Sequence, residues 1–240
     1  MFDHGLLVSR ALAISVLLLV LAGYRPRFIC IPHWYVAFSM ATAMPDSDGA
    51  DRILQVAAML LIPVCLGDDR AWQWTRPRDP MPDVWRGAAF TGMIALRVQL
   101  CVIYLTAATT KLMDPLWRQG SVMLAIAHHP YAGFPRALLE LLEPVLRSYW
   151  PVATAGWLVI AVQLAMAVLI WGGRRSRWCA FVLGVGLHAG IIVFMQLAAF
   201  GIAVIGVLVI VCVPTERRHE DEHEEDRRSR RGRTVRPRTG

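Results

Sequence analysis

The chain has 240 residues, 56% of them hydrophobic, a mean hydropathy of +0.45 and a formal charge of +7. That is too apolar for a soluble globular domain of this size. The cations lie in loops between apolar runs, so the positive charge is not a groove for nucleic-acid phosphates.

Seven apolar segments follow one another at roughly 6–23, 29–44, 53–66, 87–110, 151–171, 178–197 and 201–213. The second and third fall short of the ~20 residues of an ideal membrane span. The pattern predicts an all-α, polytopic transmembrane bundle of about six to seven spans. Alternate loops carry the arginines: Arg25 and Arg27, then Arg70, Arg76, Arg78 and Arg86, then Arg174, Arg175 and Arg177, then the tail. The positive-inside rule makes these loops cytoplasmic. The acidic link from Pro45 to Asp51, the 111–150 connection and the turn near Phe200 then face outward. Asp3-His4 is no signal-peptide n-region, and an outside start without a signal suggests a helix missing upstream.

Within the outward connection, Leu138, Leu139, Leu141, Leu142, Val145 and Leu146 share helical spacing with Arg136, Glu140, Glu143 and Arg147. This predicts an amphipathic helix on the outer face. Residues 1–214 form the transmembrane domain. Residues 215–240, acidic and then arginine-rich, read as a disordered cytoplasmic tail, with His219 and His223 solvated rather than metal-binding. No metal site is expected, the five cysteines read as small apolar residues, and no GxxxxGK, GxSxG or HExxH signature is present.

The candidates for chemistry are polar residues inside apolar runs. Of 25 Lys+Arg, 24 are arginine and the one lysine is Lys111. An amine can serve as a base or nucleophile where a guanidinium cannot. A lysine at a helix end also snorkels to the headgroups, and both readings are open. Arg97, Tyr104 and Lys111 are spaced by seven and seven, which puts them within about 40° of one helix face. An arginine inside a span costs at least ~2.5 kcal/mol, so that face turns into the bundle or a wet cavity. Gln99, Gln163 and Gln196 are uncharged partners for Arg97 or Tyr104, or packing glue. His188, between Gly186 and Gly190, reads either as a proton carrier or as a neutral core histidine. Arg10 either snorkels outward or pairs with Asp46, Asp48 and Asp51. Asp68-Asp69-Arg70 followed by Trp72 and Trp74 reads as an interfacial anchor.

Two sets of residues carry a resemblance. Tyr104-x-x-Ala107-Ala-x-x-Lys111-Leu112, then Trp117-x-x-Gly120, resembles the membrane domain shared by vitamin K-dependent gamma-carboxylases and their bacterial HTTM-type relatives. His188 with its apolar run to Phe200 looks like a second element of that domain. His33-Trp34-Tyr-Val-Ala-Phe-Ser39, Asp48-Gly49-Ala-Asp51, and Leu61-Ile62-Pro63 running to Asp69-Arg70 and Trp74 look like the sporulation-delaying protein B family.

The resemblance spans roughly residues 6–213 and implies an HTTM-like fold for residues 1–214. In the carboxylases the lysine of this motif is the base that deprotonates vitamin K hydroquinone. By resemblance Lys111 is the base, His188 a second catalytic group, and Arg97, Tyr104 and Trp117 line a site for a quinone-type lipid. The sporulation-delaying family acts with a partner protein in maturing an exported toxin peptide. The implied partners are membrane lipid, an exported peptide and a maturation protein, in a bacterial inner or plasma membrane. The chain holds nothing like the carboxylases' large luminal domain, so carboxylation of a protein is not implied. A non-enzymatic scaffold or export helper and a small transporter are the alternatives.

Overall fold

The computed structural model describes residues 2–43, 49–77 and 80–213. Asp46, Asp48, Arg78 and the 215–240 tail with His219 and His223 lie outside the described residues. Among the described residues the regular elements are ten helices: α1 (Phe2–Ala22), α2 (Pro26–Ala43), α3 (Ala50–Leu66), α4 (Asp83–Met113), α5 (Pro115–Arg118), α6 (Val122–Ala127), α7 (Arg136–Leu146), α8 (Tyr149–Leu169), α9 (Arg174–Met195) and α10 (Ala198–Cys212). Seven of them match the seven apolar segments, and α7 is the amphipathic helix that the leucine spacing predicts.

Among the described residues four stretches, Gly5–Ala22, Asp83–Met113, Tyr149–Leu169 and Arg174–Met195, are long and apolar enough to cross a membrane. That is fewer than the six to seven expected. Helices α2 and α3 carry internal prolines, Pro32 and Pro63, and bring Arg27, Asp51 and Arg52 into their first turns. Helix α10 is apolar throughout but only 15 residues long.

The surface fits a lipid environment. Helix α1 packs against α2 and leaves Leu7, Leu12, Leu18 and Leu21 exposed on several sides. In water such a surface promotes association; in hydrocarbon it is the favourable one. Exposed aromatic residues gather at both ends of the bundle, Tyr131, Tyr149 and Trp150 at one and Trp74, Trp171 and Trp178 at the other, as interfacial belts do.

The bundle closes tightly at the end remote from Lys111. Leu96 and Leu100 of α4, Met166 and Ile170 of α8, Ala180 of α9 and Leu208 and Val211 of α10 form one fully buried cluster. Small residues permit the approach. A Cβ at Gly184 would stand 2.5 Å from both Leu208 Cδ1 and Met166 Cε, and one at Gly92 would stand 2.6 Å from the Leu60 carbonyl oxygen. Across the α4–α8 contact the Cys101 thiol donates to the Ala167 carbonyl at 3.5 Å.

At this same end the α3–α4 loop straps the α1–α2 turn. Arg25 N–H donates to the Ala71 carbonyl and Gln73 N–H to that of Gly23, both at 2.9 Å. The Trp74 indole donates to the Ala22 carbonyl at 2.7 Å, and Arg27 pairs with Asp69 at 2.6 Å. Arg70 organises the loop by donating to Asp68 at 2.6 Å and to the carbonyls of Gln73 and Thr75 at 2.7 and 2.9 Å. The stretch read as an anchor is therefore also a clamp between helix pairs.

Burial alone would raise the Asp68 carboxyl above its ordinary value of 3.8, but the hydrogen bonds and charge of Arg70 outweigh it and hold the group below. A carboxylate depressed in the folded state contributes stability that is full above the ordinary value and fades as pH falls through the folded one. Thermal midpoints of the detergent-solubilised protein are expected to fall from pH 5 to pH 2, with the drop reduced in Asp68→Asn. At Gly92, a leucine collides with backbone, so Gly92→Leu is expected to destabilise by ~1–3 kcal/mol. Gly87→Ala on the same helix, where a Cβ meets nothing within 4 Å, is expected to leave the melting curve unchanged.

Candidate functional site

Toward the Lys111 end the helices part and enclose a cavity of about 760 Å³. Its walls come from α4, α8, α9 and α10, and the segment between α4 and α8 forms its roof. Most of the lining is aliphatic or aromatic, and a handful of polar side chains interrupt it.

Helix α4 supplies two of them, seven residues apart on one face. Ala107 and Ala108 lie between, and their small side chains keep that face open in front of Tyr104 and Lys111. Tyr104 is buried to 2% exposure with a hydroxyl that has no hydrogen-bond partner. Lys111 is half-buried in the last turn of α4, where a cation complements the helix dipole. Its ammonium donates to the Ala107 carbonyl at 3.2 Å and stands 5.1 Å from the centre of the Trp117 ring. This pairs one hydrogen bond with a cation–π contact.

The turn after α4 places that ring. Asp114 leaves the helical conformation and its carboxylate accepts from Leu116 N–H at 2.7 Å, capping α5, with Pro115 fixing the first turn. Trp117 therefore folds back over the amine instead of continuing away from the bundle. Gly120 follows with φ +74°, and a Cβ there would stand 2.5 Å from Ala153 Cβ of α8. The Asp-Pro turn and this glycine fix α5 against the head of α8.

Helix α8 contributes Gln163, 8% exposed, whose Oε1 is buried without a hydrogen-bond partner. Helix α9 contributes His188, 3% exposed, with Nδ1 at 2.8 Å from the Gly184 carbonyl. In the neutral ring Nδ1 then carries the proton and Nε2 is the acceptor. The ring meets Tyr104 edge-on with centroids 6.2 Å apart and lies 5.7 Å from Phe200 of α10.

The roof is held by more than packing. Phe134 stacks on Phe194 at 5.0 Å, and Gln196, at φ 59° in the break between α9 and α10, donates to the Gly133 carbonyl at 3.3 Å. Leu139, Leu142 and Leu146 of α7 pack inward, while Arg136–Glu140 and Glu143–Arg147 pairs line the other face.

Four of the five residues singled out from sequence, Lys111, His188, Tyr104 and Trp117, line this one cavity. Arg97 does not line it. Fourteen residues at ~1.5 Å rise set Arg97 about 21 Å along the α4 axis from Lys111. Arg97 lies instead near Arg177 and Cys212, where both charges reach the thiol at the far end of α10. A shared helix face is thus not a shared site. Gln196 bonds the roof and not Arg97 or Tyr104. Gln163, offered from sequence as a partner of Arg97 or Tyr104 or as packing glue, lines the cavity beside Tyr104, though neither its Oε1 nor the Tyr104 hydroxyl has a hydrogen-bond partner; Phe200, given no site role from sequence, lines the cavity too.

The chain is similar to sporulation-delaying protein SdpB of Bacillus subtilis (strain 168). The two are 32% identical over 210 residues, which are 87% of this chain and 65% of that protein. The chain is also 27% identical over 208 residues to uncharacterized protein YitO of the same organism, covering 86% of this chain and 67% of YitO. It thus spans about two thirds of the length of these relatives. No protein-family model and no solved structure matches it. The apolar helices and this similarity together identify a helical membrane protein related to SdpB.

Because both partners of Lys111 are local, the amine adds little to the fold. Lys111→Met is expected to shift stability by no more than about 1 kcal/mol in a detergent melting curve.

Proposed function

We propose that the protein is a multi-pass, HTTM-type membrane protein of the SdpB family that acts in the maturation or modification of an exported peptide, with Lys111 as base. The observation that carries this reading is the cavity. The chain's one lysine lines a half-open apolar chamber together with Tyr104, His188 and Trp117. Buried polar atoms in a membrane bundle are costly when unpaired, and they mark functional sites more often than they stabilise folds.

In this reading all seven long segments cross or enter the membrane, the arginine-rich loops and tail face the cytoplasm, and Lys111 stands at the outer edge. The peptide approaches from the outer side, with a partner maturation protein, and the chamber holds a membrane-soluble cofactor of quinone type. An apolar chamber of this volume, with the polar side chains of Tyr104, Gln163 and His188 among its lining residues, fits such a group. When bound, it supplies redox chemistry that no side chain here provides. The chain's own part is to exclude water, orient the group against Tyr104 and His188, and accept a proton at Lys111 Nζ. The Ala107 carbonyl positions Nζ, and Trp117 covers it.

A second reading is a non-enzymatic scaffold. It is favoured by one observation: the Lys111 ammonium already has a carbonyl and an aromatic ring and needs no ligand to be satisfied.

Lys111→Ala and Lys111→Arg separate the two when the output of mature exported peptide is measured at equal membrane levels. The base reading expects both variants to lose ~100-fold or more, within the range by which proton transfer accelerates reactions. Full output from Lys111→Arg rejects it, because a guanidinium does not take up a proton at neutral pH.

A further inference from the structure

Helix α1 is long and apolar enough to cross a membrane, yet none of Gly5–Ala22 is buried. It packs chiefly against α2, and the half-buried side chains of Ala13, Val16 and Val20 mark the face turned that way. Arg10 lies on another face. At 100° per residue it sits about a quarter turn from the α2 side. Leu6, Ile14, Leu17 and Leu21 share its stripe, at spacings of four, four, three and four, and all four are exposed. That spacing is the seam along which one helix packs on another.

Arg10 is the one charged residue between Gly5 and Ala22. Its side chain is exposed, and among the described residues it has no ion pair or hydrogen-bond partner. Its depth follows from the other end of α1. There the Trp74 indole donates to the Ala22 carbonyl and Trp72 meets Tyr24 edge-on, an aromatic cluster of the kind that sits at headgroup level. The twelve residues from Ala22 to Arg10 rise about 18 Å. A hydrocarbon core of ~30 Å then leaves Arg10 about 12 Å short of the opposite boundary. One arginine stem does not bridge that distance to the headgroups. A charge at such depth is costly alone, and intramembrane charges pair with one another or face water.

The stripe therefore states what would cover it. A lipid phosphate is disfavoured by the depth. A second copy of this chain is disfavoured by charge, since pairing two α1 helices sets two guanidiniums at similar heights whichever way round they run. The carboxylates of this chain lie in loops, at helix ends or on α7, so another copy offers none inside an apolar span. What fits is an aliphatic helix with one buried acid.

We propose that the α1 stripe of Leu6, Arg10, Ile14, Leu17 and Leu21 is a docking surface for a membrane-spanning helix of another protein, apolar along its length and carrying a single carboxylate at the height of Arg10. The carboxylate accepts from the Arg10 guanidinium, and the aliphatic side chains pack along the rest of the seam. Helix α1 contributes nothing to the chamber lining, so this surface stands or falls apart from the reading of Lys111.

The test uses the full chain reconstituted in phosphatidylcholine vesicles and labelled with a fluorescence donor. The probes are acceptor-labelled spanning peptides of leucine and alanine that differ at one central position, which is glutamate, glutamine or leucine. The glutamate peptide is expected to associate about tenfold more tightly than the leucine peptide, a fraction of what a lone arginine costs at that depth. Arg10→Leu is expected to bring the ratio near one. Arg10→Glu is expected to transfer the preference to a peptide with a central arginine. Val182→Ala, on the exposed surface of α9, leaves the ratio unchanged. The wild-type comparison decides the matter even where a variant fails to fold. Equal association of the three peptides, as expected of a guanidinium that reaches the headgroups unaided, overturns the proposal. So does a glutamate preference that persists in Arg10→Leu. Self-association of the chain that Arg10→Leu abolishes overturns it in favour of a second copy.

Discussion

The architecture depends on the unequal packing of one bundle along its length. Near Arg97 the helices touch through glycine and alanine, with Gly92 against the α3 backbone, Gly184 against Met166 and Leu208, and the Cys101 thiol on the Ala167 carbonyl. Between helices in lipid the apolar side chains gain little by leaving the solvent, so close van der Waals approach is what holds them. Toward Lys111 the same four helices diverge. Met166 and Leu208 face the tight half, whereas Gln163 of α8, His188 of α9 and Phe200 of α10 line the open half. Tyr104 belongs to both halves: it is part of the buried core and it lines the chamber. The cavity is therefore kept open by the contacts below it.

The polar residues of the chamber are not equivalent. Lys111 is satisfied by its own helix and by Trp117, so it can be held ready without a ligand and without strain. Tyr104 and Gln163 are not satisfied, and each carries the cost of an absent partner. His188 stands between these cases, with one ring nitrogen engaged and the other an acceptor. A bundle selected only for stability would replace the unsatisfied pair with apolar residues of similar volume. Their presence among the residues that line this cavity is the strongest argument that something occupies it.

Much of the fold was legible because its determinants are local. Uninterrupted apolar runs marked all seven long helices, and leucine spacing marked α7 inside a connection that otherwise reads as a loop. The span count was less legible, because Pro32, Pro63 and the charges at the starts of α2 and α3 make helices that form readily yet lack the apolar length of a span. The site was half legible. Tyr104 and Lys111 share a face at adjacent heights, and periodicity finds such a pair. Arg97 shares the face four turns away, and periodicity alone does not carry height. Gln163 joins Tyr104 only through the packing of α8 on α4, which no local pattern encodes.

The Asp114-Pro115 turn explains why the amine lies against Trp117 at the chamber and not at a bare helix end. Had α4 run on, Lys111 would project from a bare helix end with its amine in the headgroups. The turn instead stops the helix, carries Trp117 back across the ammonium, and sends the chain through α5 to α7 as a roof. The roof stays attached at two points far apart in sequence, the Phe134–Phe194 stack and the Gln196 bond to Gly133. Lys111 consequently lines an apolar chamber, with the Trp117 ring over its ammonium. A group in the chamber can reach this nitrogen without crossing the tight half of the bundle.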